Sequence, residues 1–181
     1  MADFSPPFAD DPAPSPALRV FLDTSVIIAG MVSGRGAAPL PAPLPARRAY
    51  RPEGRAYRPE GEVLRLGESG VIQVYLSEQV LTEADRVFRA KFPTLIAEFH
   101  KFLRNLDPVL VDDPTRAEVS SIEGWINADD APILAAAIKS RADCLVTWDL
   151  KHFQSRKVTE NVQLPIFTPG EFLENYFSKN E

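Results

Sequence analysis

The sequence predicts an α/β fold, a three-layer α/β/α sandwich with a mainly parallel central sheet. Short apolar runs alternate with amphipathic or alanine-rich stretches, as strands and crossover helices do. The first run, at residues 19–22, leaves no exposed apolar face, which is typical of a strand covered by helices on both sides. A length of 181 residues, 45% of them hydrophobic, suits one domain with its own core.

The first strand–helix unit organises the rest of the chain. Residues 19–22 form the predicted strand, Asp23 stands where it stops, and Thr24 or Ser25 can cap the helix that follows. The carboxylate of Asp23 is therefore expected at the carboxyl edge of the sheet, where open α/β sheets bind ligands. Asp is also a common helix cap, so this position alone leaves both interpretations open.

The other elements follow from hydrophobic periodicity and capping residues. Further strands are predicted at 71–76, 108–111, 142–147 and 165–168. Helices are predicted at 26–31, at 62–68, after a Ser77 cap, at 94–106, after an Asp113 cap, after an Asp130 cap, and at 169–177 after a Thr168 cap. Glu83 lies on the second turn of the helix that Ser77 opens, beside its apolar stripe.

Composition excludes some classes of protein. The formal charge of -5 argues against a protein that coats nucleic acid through bulk positive potential, although it allows a local basic surface. The single cysteine, Cys144, lies in an apolar run and has no partner for an internal disulfide, which fits a reducing compartment. No apolar run approaches the ~20 residues that span a bilayer. We therefore expect a soluble cytoplasmic protein that does not bind membranes.

The folded domain is expected at 18–177, between a proline-rich disordered tail at 1–17 and a short tail at 178–181. A low-complexity insertion is predicted at 37–61, where alternate prolines are followed by two identical copies of RAYRPEG. Arginines beside tyrosines can contact phosphates and stack on unpaired bases. We favour a solvated loop made by duplication, with RNA contact as the alternative; the candidate contacts are Arg48, Arg51, Arg55 and Arg58.

Four carboxylates are predicted to meet at one edge of the sheet. Asp23 and Asp149 each follow a strand, and Asp130 and Glu83 lie at or near the start of helices that begin at that edge. So much negative charge requires protons or cations, and nothing nearby in the sequence supplies four basic partners. Ligation by oxygen alone selects Mg²⁺ or Mn²⁺ over Zn²⁺. Such a site suits hydrolysis of a phosphodiester.

At these positions the sequence resembles the PIN-domain ribonucleases. The motifs are LDTSVIIAGMVS, YLSEQVLTEADRVF, DDAPILAAAI and LVTWDLKHF, in the expected order between residues 18 and 176. The resemblance implies a metal-dependent endoribonuclease acting on single-stranded RNA, often the toxin of a toxin–antitoxin pair. It also implies that the metal-site and catalytic residues are Asp23, Glu83, Asp130 and Asp149.

The same resemblance suggests supporting residues and partners. Thr24 or Ser25, together with Thr147, would supply hydroxyl groups that support Asp23 and Asp149. Asp129 competes with Asp130 for the third acid, and the proline spacing favours Asp130. The resemblance leaves open an antitoxin partner and a homodimer. Ser25 stands where many members have Asn, and the insertion puts specificity in doubt more than chemistry.

Three further points remain from the sequence. Lys151 and His152 are candidate RNA contacts next to Asp149. An aspartyl phosphatase with Asp23 as nucleophile is disfavoured because Ser25 stands where such enzymes carry a second acid. A PIN-like scaffold that binds RNA or a protein without cutting is the main alternative, and the presence of all four acids argues against it.

Overall fold

The computed structural model describes residues 17–33 and 58–179. In these ranges five strands form one sheet in which every neighbouring pair is parallel: β1 Leu18–Leu22, β2 Ile72–Ser77, β3 Val109–Val111, β4 Cys144–Val146 and β5 Ile166–Phe167. The spatial order is β3-β2-β1-β4-β5. The predicted α/β fold with a mainly parallel sheet is confirmed.

The helices of the described ranges alternate with these strands. They are α1 Thr24–Val32, α2 Pro59–Glu68, α3 Glu78–Lys91, α4 Ile96–Leu106, α5 Arg116–Ser120, α6 Ala131–Lys139, α7 Leu150–Phe153, α8 Arg156–Asn161 and α9 Pro169–Lys179, with a 3₁₀ turn at Pro93–Leu95. α1 contacts both α2 and α3, and α2 also contacts α4 and α9. None of these helices combines the length and the apolar character needed to cross a bilayer.

The central strand β1 is covered on both faces. Val20, Phe21 and Leu22 have no exposed surface, and Val20 is in register with Val74 of β2 and Cys144 of β4. Because side chains on both faces are buried, the strand is a continuous apolar run and not an alternating one. The polar sequence resumes at Asp23, which therefore lies at the carboxyl edge.

Close packing fixes the helices that carry the polar residues. A Cβ at Gly30 would lie 2.5 Å from Leu64 Cδ1, so the glycine allows α1 and α2 to approach closely. The rings of Phe88 in α3 and Phe99 in α4 stack with centroids 4.6 Å apart, and both are buried. These contacts hold α1 and α3 in place beside the sheet.

Several predicted helix boundaries were wrong. α1 begins one residue after Asp23, which occupies the N-cap position in place of Thr24 or Ser25. α2 begins at Pro59, three residues before the predicted start, because proline is favoured in the first helical turn. The cap of α5 is Thr115, not Asp113: Thr115 and Glu118 form a reciprocal capping box.

Two short helices, α7 and α8, were not predicted. α8 is a short polar segment, RKVTEN, in which Val158 is the buried side chain and Ser155 caps the first turn. Such a segment carries too little hydrophobic periodicity to be recognised. The tail at 1–16 and Arg48, Arg51 and Arg55 of the insertion lie outside the described residues.

Candidate functional site

The strand order reverses at the boundary between β1 and β4. From β1 the chain proceeds to β2 and β3 on one side, and then returns to β4 and β5 on the other. Leu22 is in register with Val146, and the Asp23 amide donates to the Val146 carbonyl over 3.0 Å. In open parallel sheets, ligands bind at such a point, outside the carboxyl ends of the strands. The residues that follow β1 and β4 therefore line the expected crevice.

Asp23 is the buried acid of this crevice. Its residue surface is 5% exposed, and its Oδ2 accepts hydrogen bonds from Ser25 Oγ at 2.5 Å and Thr147 Oγ1 at 2.8 Å. Asp23 occupies the N-cap position of α1, but its side chain makes no capping hydrogen bond to that helix. Burial raises the pKa of the Asp23 carboxyl, and the two hydroxyl groups only partly oppose this effect.

A second group combines two carboxylates and an imidazole. His152 Nδ1 lies 2.8 Å from Asp149 Oδ2 and 3.1 Å from Asp130 Oδ2. One ligand atom from each of these three residues lies within 4.8 Å of the other two. Burial raises the pKa of Asp130, and the neighbouring Asp149 charge adds to the increase, whereas Asn127 and His152 oppose it.

Asn127 holds Asp130 in position, and sequence reasoning missed this residue. Its Nδ2 donates to Asp130 Oδ2 over 2.6 Å, and its Oδ1 accepts from the backbone amides of Asp129 and Asp130 at 3.0 and 2.9 Å. An Asn whose side chain bonds to the backbone two residues on is a known turn device, so the signal was present in the sequence. The Asp129 side chain is exposed and does not belong to the three-residue group, whereas Asp130 does.

Hydroxyl groups connect the separate acids. Thr147 Oγ1 donates to Asp23 and accepts from the Asp149 amide at 2.9 Å. Thr24 Oγ1 donates to Glu83 Oε2 over 3.0 Å, which places Glu83 beside the residue that follows Asp23. Ser25 and Thr147 thus contact the Asp23 carboxylate, and Thr24 contacts that of Glu83. The Thr147 hydroxyl contacts Asp149 only at the Asp149 backbone amide.

Three of the candidate RNA contacts, Arg58, Lys151 and His152, lie within the described residues. Arg58 is exposed at the N-cap position of α2. Lys151 is exposed on α7 and lines a groove of about 260 Å³ that also contains Asn127 and His152. His152 itself, expected near a phosphate, contacts the two carboxylates directly.

The donor chemistry fits a divalent cation. Within the described ranges no lysine or arginine pairs with Asp23, Asp130 or Asp149, and burial opposes ionisation of the first two. A bound cation would offset these charges. The donor set differs from the predicted one, because the imidazole of His152 adds a nitrogen to the carboxylate oxygens.

The family model of the PIN domain matches residues 19–151, a range that contains all four predicted acids. No curated protein is a significant match. Among solved structures the chain is similar to PAE2754 from Pyrobaculum aerophilum, with 14% sequence identity over 90% of each chain and a TM-score of 0.48.

Proposed function

This chain belongs to the PIN-domain family, and from that premise we propose that it is a metal-dependent endoribonuclease that hydrolyses single-stranded RNA. The observation that supports the proposal is the pairing of Asp130 with Asp149 around His152 after β4, next to the buried Asp23 that Thr147 joins to the same strand, with no lysine or arginine paired to these acids in the described ranges. Such a site suits phosphodiester hydrolysis, because a cation held there can stabilise the charge that develops on the attacking and leaving oxygens.

The cation would be held by Asp23, Asp130 and Asp149, with Glu83 as the fourth carboxylate. When bound, Mg²⁺ or Mn²⁺ supplies a polarised water and neutralises charge on the phosphate. The protein's own contribution is orientation. Two hydroxyl donors fix the Asp23 carboxylate, Asn127 fixes that of Asp130, and Thr24 fixes that of Glu83.

The groove beside this centre supports the choice of a nucleic-acid strand as substrate. It is lined by Trp125, Lys151 and Lys157 in addition to Asn127 and His152. The two lysines can contact backbone phosphates, and an unpaired base can stack on a tryptophan ring. Trp148, next to Asp149, is 42% exposed and offers a second aromatic surface. Unpaired bases are available for such stacking only in single strands.

The proposal also includes a biological role for the enzyme. We assign the chain to the toxin half of a toxin–antitoxin pair, which acts in the cytoplasm, on family likeness alone. The expected antitoxin and homodimer rest on the same basis. Co-expression with a candidate antitoxin, followed by co-purification and a test for restored growth, examines this role separately from the chemistry.

The direct test of the chemistry uses the full chain and a fluorescent single-stranded RNA. Cleavage should require Mg²⁺ or Mn²⁺, stop in EDTA, and be lost in Asp149→Asn, which keeps the size of the side chain. Cleavage that persists in EDTA or in this variant rejects the mechanism. RNA binding without cleavage by the wild-type chain would instead identify a non-catalytic scaffold.

A further inference from the structure

His152 occupies the place where a counter-charge is needed. Its Nδ1 contacts Asp149 at 2.8 Å and Asp130 at 3.1 Å, so one nitrogen faces two carboxylate oxygens. The backbone amide of His152 also donates to Asp149 Oδ1 at 3.3 Å. The turn that positions Asp149 therefore positions the imidazole as well, and 40% of the His152 side chain stays exposed toward solvent.

The second histidine has a different environment. His100 Nε2 lies 2.9 Å from Asp85, but Arg89 pairs with the same carboxylate at 2.5 Å. Asp85 therefore already has a permanent cation beside it, and His100 contacts this one carboxylate. His152 contacts two carboxylates, and its three-residue group, whose ligand atoms lie within 4.8 Å of one another, includes no lysine or arginine. The group therefore has a deficit of positive charge.

We infer that His152 is a direct ligand of the divalent cation, together with Asp130 and Asp149. The inference rests on the proposed function for the presence of a cation and goes beyond it in naming a nitrogen ligand. An imidazole that carries no proton on Nδ1 directs a lone pair from this atom, and the two distances place that atom beside both carboxylate oxygens. A cation bound there would contact all three groups at once and supply the missing positive charge.

This ligand set determines which cation binds. Imidazole nitrogen suits first-row transition cations, whereas Mg²⁺ keeps oxygen ligands and several of its waters. A site that adds one imidazole to its carboxylates therefore prefers Mn²⁺ over Mg²⁺ more strongly than an all-carboxylate site does. The sequence prediction of ligation by oxygen alone favoured neither of the two.

The first experiment is pulsed electron paramagnetic resonance of the full chain with bound Mn²⁺, which detects nitrogen coordinated to the metal. The chain contains 2 histidines, so His100→Gln leaves His152 as its one imidazole. We expect the nitrogen coupling in the wild type and in His100→Gln, and its loss in His152→Gln. Labelling His100→Gln with ¹⁵N-histidine should change the coupling, and this readout does not depend on the folding of a His152 variant.

The second experiment is calorimetric titration with Mn²⁺ and with Mg²⁺. The ratio of the Mg²⁺ to the Mn²⁺ dissociation constant should fall at least about tenfold in His152→Gln, since even outer-shell ligand partners change metal affinity by that much. The ratio should stay unchanged in His100→Gln. An unchanged ratio in His152→Gln overturns the inference.

The outcomes separate this inference from the proposed function. Metal-dependent RNA cleavage with Mn²⁺ bound and no nitrogen coupling retains the nuclease and overturns the histidine ligand. Nitrogen coupling without RNA cleavage retains the ligand and overturns the nuclease. Failure of Mn²⁺ to bind at millimolar concentration overturns the ligand as well.

Discussion

The acids at the two ends of the β1–β4 strand pair have different partners, and their pKa values change in opposite directions. At the amino end, Asp143 Oδ1 lies 2.8 Å from the Arg19 guanidinium, and Asp143 Oδ2 also accepts from the Arg19 backbone amide at 2.8 Å. The Arg19 side chain lowers the pKa of Asp143 through these contacts. At the carboxyl end, burial raises the pKa of Asp23, which has hydroxyl partners and no arginine.

At the end that lacks the candidate site, the fold balances its acid with an ion pair. The same two strands carry an acid neutralised by arginine at one end, and acids without a permanent cation at the other. Strongly perturbed carboxyls in a cleft are typical of functional sites, which sacrifice stability for chemistry. The carboxyl end is therefore the one where an external cation would balance the charge.

The largest expected effect concerns catalysis. Asp23→Asn should lower the single-turnover rate of RNA cleavage by at least about 10²–10³-fold, the usual cost of one electrostatic group in a catalytic site. Asp143→Asn removes an acid from the other end of the same strands and should change the rate by less than about twofold. Equal losses in the two variants would mean that the two ends do not differ in function.

The next effect concerns the cation itself. Mn²⁺ at about 100 times its dissociation constant should raise the free energy of unfolding by about 2.7 kcal/mol in the wild type. Urea denaturation with and without Mn²⁺ measures this gain. Asp130→Asn should lose most of it and Asp143→Asn should keep it. A gain that survives in Asp130→Asn would place the cation elsewhere.

A third test removes the hydroxyl that joins β4 to Asp23. Thr147 is fully buried, so Thr147→Val leaves the Asp149 amide without its acceptor and Asp23 without one donor. The expected cost is about 1–3 kcal/mol of unfolding free energy. Thr159→Val is the matched control, because the Thr159 hydroxyl is exposed on α8 and should matter little. Urea denaturation of both variants without metal gives the comparison.

The smallest expected effect is the pH dependence of stability, which has opposite signs for Asp23 and Asp143. The Asp23 pKa is raised, so the contribution of this carboxyl to stability is present below its ordinary pKa of 3.8 and is lost as the pH rises through the folded-state pKa. Without metal, Asp23→Asn should therefore be more stable than the wild type at pH 7, by about 0.5–2 kcal/mol, and this gain should shrink on acidification.

The opposite sign is expected at Asp143. Its pKa is lowered, so its contribution is present above 3.8 and is lost as the pH falls through the folded-state pKa. Asp143→Asn should lower the Tm at pH 7 by less than about 3 °C, and the difference should vanish in acid. Thermal denaturation at several pH values tests both variants. The same sign in both would remove the contrast between the two ends.

Much of the fold follows from simple patterns in the sequence. Strands buried on both faces read as continuous apolar runs, and polar residues such as Asp23 and Asp149 mark where two of them stop. Strand polarity then places both acids at one edge without any knowledge of packing. Alternation of strands and helices gives the parallel sheet.

The contacts within the site could not be derived in this way. His152 lies on α7 and Asp130 is the N-cap of α6, and no local pattern in the sequence indicates that these two residues contact each other. Asn127 and the Thr115–Glu118 capping box had local signatures. They were missed because Asp113 with Pro114, and Asp130 with Pro132, are also good helix starts, and capping rules rank such alternatives poorly.

The place of β4 beside β1 has a consequence during synthesis on the ribosome. β1 emerges early, but its neighbour on the side of the crevice, Cys144–Val146, is translated more than a hundred residues later. A nascent chain that has released Asp23 and Glu83 still lacks Asp130 and Asp149. The candidate site therefore cannot be complete before the strand Cys144–Val146 and the residues that follow it have left the ribosome.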